Sequence, residues 1–257
     1  MEKNRLLQNR FILSELIKKG IRLKYRRSYL GILWSLLEPL LTMIVLTIVF
    51  GTLYHHKDIK SFAIFILCGR LLYTFFSQST TSALKSIRAN SSIIKKVYVP
   101  KILYPLSCIL FNYVIFLISL IVLAAAALVL GTYPTVYLFG AIVPLVILLL
   151  LSLGCGLILS TVGVFFRDME YLWNVLLMIV MYTCAIFYEP EKLLYSKWGF
   201  ILKGNPLFCV ITLFRQSVFG HTMNYKYIMY SLGFSMLTIL FGTWLFHKNQ
   251  DKFILYI

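Results

Sequence analysis

Six long apolar segments run along the 257-residue chain, separated by shorter polar and charged stretches. Each segment has close to the roughly 20 residues that a helix needs to cross a membrane. They lack the alternation of apolar and polar residues that is typical of the strands of a membrane β-barrel. The pattern therefore predicts an all-α integral membrane protein with a single transmembrane domain, residues 1–257. The predicted spans are 31–54, 61–83, 102–131, 136–165, 170–188 and 226–247.

Two segments outside the spans also have a pattern that predicts structure. Residues 4–27 combine apolar residues at helical spacing with many basic residues, which favours an amphipathic helix on an anionic membrane surface. A solvated helix or a disordered basic arm is the alternative. Residues 189–225 mix charges with apolar pieces too short to cross a membrane. We interpret them as short re-entrant or interfacial helices before the sixth span.

The composition supports a membrane environment. Hydrophobic residues make up 60% of the chain and charged residues 13%, whereas soluble domains have about 45–50% and about 25%. The formal net charge is +16, but most of the basic residues flank apolar spans. Membrane lipids are therefore the predicted partners of these charges, and nucleic acid is not.

The basic residues also indicate an orientation, because short cytoplasmic loops carry an excess of Lys and Arg. If the N-terminus is inside, the inner side holds seventeen Lys and Arg residues. Nine are in residues 1–28, five are in 84–101 and three lie further along the chain. The opposite side holds seven, and Arg70 falls inside a span. Both termini are therefore predicted to be cytoplasmic.

Few residues could do chemistry. The nine carboxylates and four histidines do not cluster, and the phosphate-binding pattern GxxxxGK[ST] does not occur. His55 and His56 beside Asp58 fit a solvated turn better than a metal site. The five cysteines are scattered without a CxxC pair, which favours core packing. We therefore expect the chain to have no catalytic residue and to bind no metal or cofactor of its own.

Two charged residues lie well inside predicted spans, where charge is costly and usually functional. At about 1.5 Å per residue, Glu38 lies roughly 10–12 Å from the inner end of the first span, and Arg70 lies roughly 14 Å from the outer end of the second. In a hydrocarbon core about 30 Å thick, the two depths agree within one helical turn. The two side chains either form an internal ion pair or face an aqueous or substrate path.

Residues 84–98 follow the second span on the basic side. Asn90 or Ser91 can cap a short helix that carries Ile93 and Ile94. Apolar side chains that basic neighbours hold near the membrane surface suit the groove of a partner protein. A connecting helix that lies on the lipid is an equally good interpretation of these residues alone.

Five short motifs follow one another along the chain. They are Arg22-x-Lys24-Tyr25-Arg26-Arg27-Ser28-x-Leu30-Gly31-x-Leu33-Trp34-x-Leu36-Leu37-Glu38-Pro39-Leu40, Thr74-Phe75-Phe76-Ser77, Asn90-x-x-x-Ile94-Lys95-Lys96-Val97-Tyr98-x-Pro100, Phe166-Arg167-Asp168-x-x-Tyr171-Leu172, and Asn205-Pro206-Leu207 followed by Phe214-Arg215. Together they resemble the ABC-2 type permeases of the branch that exports lipid-linked polysaccharides, namely O-antigen, capsule and wall teichoic acid. The resemblance covers essentially the whole chain.

This resemblance implies a homodimer that binds two separate ATPase subunits, which hold ATP and Mg. It also implies an interface helix, six spans, a coupling helix within 84–98 and short outer helices. The residues that would couple to the ATPase are Ile87, Asn90, Ile93, Ile94, Lys95, Lys96, Val97, Tyr98, Arg167 and Asp168. Spans one and five would line a tunnel whose aromatic rings stack on sugars. The tunnel candidates are Trp34, Glu38, Arg70, Tyr182, Phe187 and Tyr188, of which Arg70 departs from the usually uncharged family pattern.

The sequence is therefore interpreted as the permease subunit of an ATP-driven exporter. Its substrate would be an undecaprenyl-type lipid-linked polysaccharide or teichoic acid, moved across the cytoplasmic membrane of a bacterium. An ABC-2 permease for a small hydrophobic drug or a lipid is the alternative. A polytopic membrane glycosyltransferase is a more distant one, because no paired carboxylates are found.

Overall fold

The computed structural model describes residues 2–26, 29–53, 59–97, 99–131, 135–194, 196–197 and 199–256. Six residues that entered the sequence interpretation lie outside these ranges: Arg27, Ser28, His55, His56, Asp58 and Tyr98. Within the ranges every regular element is a helix. This confirms the predicted all-α class.

The described α-helices are numbered in chain order, and short 3-10 turns lead into the second and the sixth. They are α1 (Glu2–Tyr25), α2 (Trp34–Leu53), α3 (Ile59–Ala89), α4 (Ser91–Ile94), α5 (Leu103–Leu130), α6 (Ile142–Phe165), α7 (Met169–Thr183), α8 (Glu191–Leu194), α9 (Gly199–Gly204), α10 (Pro206–Val218), α11 (Tyr225–Asn249) and α12 (Phe253–Tyr256).

Five helical segments of the described chain are long and apolar enough to cross a membrane, so this is a multi-pass membrane protein. They are α2, α3, α5, α6 with its leading turn, and α11 continued to Tyr256. The predicted fifth span, 170–188, corresponds to α7, which has only 15 residues. Its length of about 22 Å falls short of the hydrocarbon core of about 30 Å. The count of six spans therefore stays a prediction.

α3 is longer than the predicted second span, 61–83. Its 31 residues contain no proline and extend about 46 Å. The helix therefore runs six residues into the predicted coupling segment and places that segment beyond the hydrocarbon core.

Helix ends in the predicted outer region are fixed by local signals. The side-chain oxygen of Asn205 accepts a 3.0 Å hydrogen bond from the Leu207 backbone N–H, and Pro206 occupies the first helical position of α10. Asn224 caps α11 in the same way, through the backbone N–H of Lys226 at 3.0 Å. Among its described residues, the segment 189–225 contains three short helices, α8, α9 and α10.

α3 lies at the centre of the bundle, where it packs against α2, α5, α6 and α10. α11 is attached mainly through α6, and the contact is close because glycines face each other. A Cβ added to Gly154 would lie 2.7 Å from the backbone nitrogen of Ile239, and one added to Gly242 would lie 2.8 Å from the Gly154 carbonyl oxygen. Many of the large apolar side chains of α2, α7 and α11 are exposed.

Candidate functional site

The predicted coupling segment forms the end of α3 and the single turn of α4. Asn90 lies between them, and its side-chain amide donates a 2.8 Å hydrogen bond to the Ser86 carbonyl. This bond satisfies a carbonyl in the last turn of α3, where helical partners are missing. The sequence interpretation expected Asn90 or Ser91 to cap α4. Asn90 does occupy the N-cap position of α4, but its side chain makes no capping hydrogen bond, so the expected side-chain cap is wrong for this residue.

Burial separates the apolar side chains of this segment into two groups. Ile87 and Ile94 are 0% and 8% exposed and belong to one buried cluster of the chain itself. Ile93 is half-buried, and Val97 is 55% exposed. Ile94 therefore anchors the turn to the bundle, and a partner could meet only the outward side chains. These are Ile93, Lys95, Lys96 and Val97.

Glu170, in the first turn of α7, joins the coupling segment to the loop that carries Arg167 and Asp168. Its Oε2 lies 3.1 Å from Lys85 Nζ, and its Oε1 forms an ion pair with Arg88. Arg88 and Glu170 are both partly buried, so their attraction is screened less than that of a surface pair. The loop beside it presents outward side chains, namely Phe166, Arg167 and Asp168. The two predicted halves of the coupling site are thus linked in space.

The C-terminal segment also packs near the two halves of the predicted coupling site. Phe253 of α12 is 0% exposed, and its ring centroid lies 5.2 Å from that of Phe246 and 5.9 Å from that of Phe165. Phe253 belongs to the same buried cluster as Ile94, and Phe165 immediately precedes the outward loop. Phe253 therefore packs against Phe165 at the start of the α6–α7 connection and shares a buried cluster with Ile94 of α4.

A polar cavity lies further into the bundle, between the end of α1 and the helices α2, α3 and α5. It has a volume of about 640 Å³ including the open space at its mouth. Each of the three long helices presents polar residues to it at helical spacing, so that they share one face. These are Ser35, Glu38 and Thr42 of α2, Arg70, Thr74 and Gln78 of α3, and Asn112 and Ser119 of α5.

Glu38 and Arg70 both line this cavity, but they do not form the internal ion pair that their equal depth suggested. Their charged groups are not within 4.0 Å of each other. Arg70 Nη1 instead lies 3.8 Å from Met181 Sδ, and its Cζ lies 6.0 Å from the ring centroid of Tyr73. Both residues are directed to a shared polar space, which fits the second of the two alternatives.

Lys24, at the end of α1, brings a second cation to the cavity. Its Nζ lies 3.4 Å from Gln78 Oε1 and 5.9 Å from the ring centroid of Phe111. Burial lowers the pKa of Lys24 below its usual value of 10.5, and the Glu38 carboxylate partly opposes this shift. The cavity therefore contains two basic groups and one carboxylate.

The aromatic tunnel candidates lie in different environments. Trp34 is exposed and lines the cavity. Tyr182 is exposed on α7, and its carbonyl accepts a 2.8 Å hydrogen bond from the Tyr188 hydroxyl. Phe187 is buried and stacks on Phe50 with ring centroids 4.9 Å apart. Within a single chain Phe187 is thus a packing residue, whereas Trp34 and Tyr182 remain accessible.

Arg215 is buried in α10 and holds the non-helical segment after α7. Its Nε donates to the Phe65 carbonyl at 3.2 Å, its Nη1 to Ala185 at 2.9 Å and its Nη2 to Ile186 at 3.3 Å. A Cβ added to Gly69 would lie 2.6 Å from Arg215 Nη2. Glycine at position 69 therefore leaves the space that the guanidinium fills, and α7 is tied to α3 at its end.

Sequence reasoning missed the roles of Glu170, Arg215 and Phe253. Glu170 had a usable signal, since it is the only carboxylate within α7 and stands in its first turn, where negative charge is favoured. Arg215 stood in an apolar short helix as an isolated basic residue. Nothing local distinguished Phe253 from the other aromatic residues near the C-terminal end.

Comparison with known proteins shows what the chain resembles. A profile of the ABC-2 type transporter family matches residues 13–219. The O-antigen export system permease protein RfbA of Klebsiella pneumoniae is 30% identical over 245 residues, which cover 94% of this chain and 93% of the relative. The polysialic acid transport protein KpsM of Escherichia coli is 27% identical over 93% of both chains. The capsule polysaccharide export inner-membrane protein CtrC of Neisseria meningitidis serogroup A is 22% identical over 92% of this chain and 90% of its own length.

Proposed function

The chain belongs to the ABC-2 type transporter family, and we propose that it is the permease subunit of an ATP-driven exporter of lipid-linked polysaccharide or teichoic acid. Transport is outward across the cytoplasmic membrane of a bacterium. The proposal is carried by similarity over nearly the whole chain to permeases named for O-antigen, polysialic acid or capsule export. None of these three names specifies a drug or a simple lipid, so that alternative is the weaker one.

A dimer of the chain with two ATPase subunits is the proposed assembly. The exposed faces of α2 and α7 support it, because Leu177 is the only residue of α7 that is buried within the chain. Two copies that meet along such faces would remove apolar surface from lipid contact and enclose a path between them. Tyr182 and Trp34, both exposed, are the aromatic residues available to that path.

The surface that meets the ATPase is proposed to consist of Ile93, Lys95–Val97 and Phe166–Asp168. We name it the docking surface. Glu170 holds its two parts together through Lys85 and Arg88. A displacement of either part is therefore transmitted to the ends of α3 and α7, and α3 is the central helix of the bundle.

The docking surface is proposed to face the cytoplasm, where ATP is available. Seventeen of the Lys and Arg residues fall on the side of the chain that carries it and seven on the other. Lys101 Nζ donates a 2.7 Å hydrogen bond to the Gln250 carbonyl. This contact brings the start of α5 and the end of α11 to the same end of the bundle, as the proposed orientation requires.

The function is tested by deleting the gene in the parent bacterium and restoring it on a plasmid with its ATPase. Intact cells are labelled with an antibody or lectin against the surface polysaccharide, and lipid-linked polymer retained inside is extracted and quantified. The deletion strain should retain polymer, and the complemented strain should expose it. A partner ATPase with its phosphate-binding lysine replaced serves as the control and should not restore export. Unchanged surface polymer in the deletion strain, together with loss of ethidium efflux, would favour the drug permease instead.

The docking surface is tested by introducing the same substitution, Val to Asp, at two positions that lie at opposite ends of the molecule. Val97→Asp should reduce co-purification of the ATPase about tenfold or more, because full burial of a Val-sized side chain contributes about 1.5–3 kcal/mol. Val136→Asp is the matched control, since Val136 is also exposed and begins the turn before α6 at the opposite end. Equal co-purification of the two variants would show that Val97 does not meet the partner.

A further inference from the structure

We propose that Lys24 and Arg70 form two successive binding stations for an oxyanion, a phosphate or a carboxylate, of the transported substrate. This inference rests on the proposed export function and adds the chemical group that the cavity between α1, α2, α3 and α5 recognises. Both cations line that cavity, Lys24 near the α4 end and Arg70 deeper in the bundle.

Arg70 is the stronger part of the argument. A guanidinium at bilayer depth is costly unless it faces water, a partner or a substrate. Among the described residues, no carboxylate lies within 4.0 Å of it. Its guanidinium instead contacts the Met181 thioether at 3.8 Å, which is only a weak acceptor, and the face of Tyr73. A planar group with five donors is thus held open to a cavity, in the form that suits bidentate binding of phosphate or carboxylate oxygens.

Lys24 forms the first of the two stations, at the entrance of the cavity. Its ammonium contacts Gln78, which stands eight residues after Arg70 on the same face of α3. Eight residues correspond to about 12 Å along the helix. An oxyanion that enters from the α4 end therefore reaches Lys24 first and Arg70 about 12 Å later. The intervening polar side chains of Thr74 and Ser35 line the way.

Glu38 limits how tightly an anion is held. It lines the same cavity as the two cations, and its charge acts on Lys24. With both cations charged, the three groups leave the cavity with one net positive charge. A transport path needs binding that is favourable enough for entry and weak enough for release. One excess positive charge, with a carboxylate nearby, meets both needs.

Two sources could supply the oxyanion, the phosphate that joins the glycan to its lipid or an acidic sugar of the glycan. The full-length chain is therefore placed in neutral phosphatidylcholine nanodiscs and titrated separately with geranylgeranyl diphosphate, glucuronic acid and inorganic phosphate. Stabilisation against heat reports binding. Stabilisation by the prenyl diphosphate assigns the group to the lipid carrier, and stabilisation by glucuronic acid assigns it to the glycan. Binding of inorganic phosphate alone would overturn a substrate site.

Arg70→Gln should raise the apparent Kd of the effective probe about 10- to 150-fold, the loss expected for one charge-assisted contact. Arg70→Lys keeps the charge and should retain part of the affinity, which also guards against misfolding of the first variant. Lys226→Gln is the matched control, because it removes one exposed positive charge outside the cavity. An equal loss in Lys226→Gln would mean non-specific attraction, and an unchanged Kd in both Arg70 variants would refute the site.

The outcome of the binding measurements is independent of the outcome of the complementation test. If the deletion strain exports polymer normally, the proposed function fails whatever the chain binds. If export depends on the chain but Arg70→Gln exports at the normal rate and binds with normal Kd, only the oxyanion stations fail.

Discussion

Phe253→Ala tests whether the C-terminal segment holds the docking surface in place. The ring is 0% exposed and packs edge-on against Phe246 and Phe165, with centroids 5.2 and 5.9 Å away. Ile94, which anchors α4, belongs to the same cluster. Removing the ring leaves a cavity beside Phe165, next to the outward loop Phe166–Asp168, in the buried cluster that also contains Ile94.

The expected loss follows from this burial. Replacement of an enclosed phenylalanine by alanine costs about 3–5 kcal/mol, the sum of lost transfer energy and cavity formation. Leu255→Ala is the matched control, since Leu255 lies two residues away in α12 and is 82% exposed. A change at such an exposed position is expected to stay within about 0.5 kcal/mol.

Two measurements on the purified complex separate a positioning role from simple instability. The first is the thermal stability of the assembled complex. The second is the amount of polymer exported per ATP hydrolysed in proteoliposomes, which a mere reduction in folded protein does not change. Phe253→Ala should lower both, and Phe253→Leu should recover part of each. If Phe253→Ala assembles less complex but exports the normal amount per ATP, the segment stabilises the chain without positioning the docking surface.

Three further predictions concern other contacts. Glu170→Gln should reduce stability by about 1–3 kcal/mol, since it leaves the partly buried Arg88 without its carboxylate; in the Glu170→Gln background Arg88→Gln should cost less than it does alone, and additive losses would argue against a direct pair. Arg215→Gln should release the segment after α7 and increase its proteolysis and hydrogen exchange, because three carbonyl contacts are lost; unaltered exchange would contradict this role. In a chain without native cysteines, a cysteine at Lys197 should react with an impermeant thiol reagent from outside the cell and one at Asn90 should not, and the reverse labelling would invert the proposed orientation.

The sequence was most informative where a property depends on length and composition alone. Helices α2 and α5 end within a few residues of the predicted spans 31–54 and 102–131. Both helices are so apolar that only a membrane can solvate them. α5 ends at Gly131, whose φ of 85° forms a left-handed C-cap. Such signals are local, and a single sequence contains them.

What the sequence could not show depends on contacts between distant residues. Residues 184–188 are apolar and carry no local helix breaker, so the pattern extended the fifth span to 188. The helix nevertheless ends at Thr183, and Arg215, some thirty residues later, binds the carbonyls of Ala185 and Ile186 in the non-helical segment that follows. No periodicity within the span carries that information.

The candidate site shows the same limit at the level of side chains. Depth along a helix predicted that Glu38 and Arg70 lie at similar levels, and they do line one cavity. Whether they touch also depends on how each helix is rotated about its axis. The depth of a residue along its helix does not give that rotation. The rotation of the four-residue helix α4 likewise decided that Ile94 is buried and Ile93 is partly open.

The enclosure of Arg215 beside Gly69 constrains how related sequences can change. A Cβ added at position 69 would lie 2.6 Å from Arg215 Nη2, so a larger residue there displaces the guanidinium from the Ala185 and Ile186 carbonyls. Single substitutions at either site disrupt the pair, whereas paired substitutions can preserve it. In an alignment of relatives, the two positions should therefore covary, with glycine enriched at 69 among sequences that have arginine at 215.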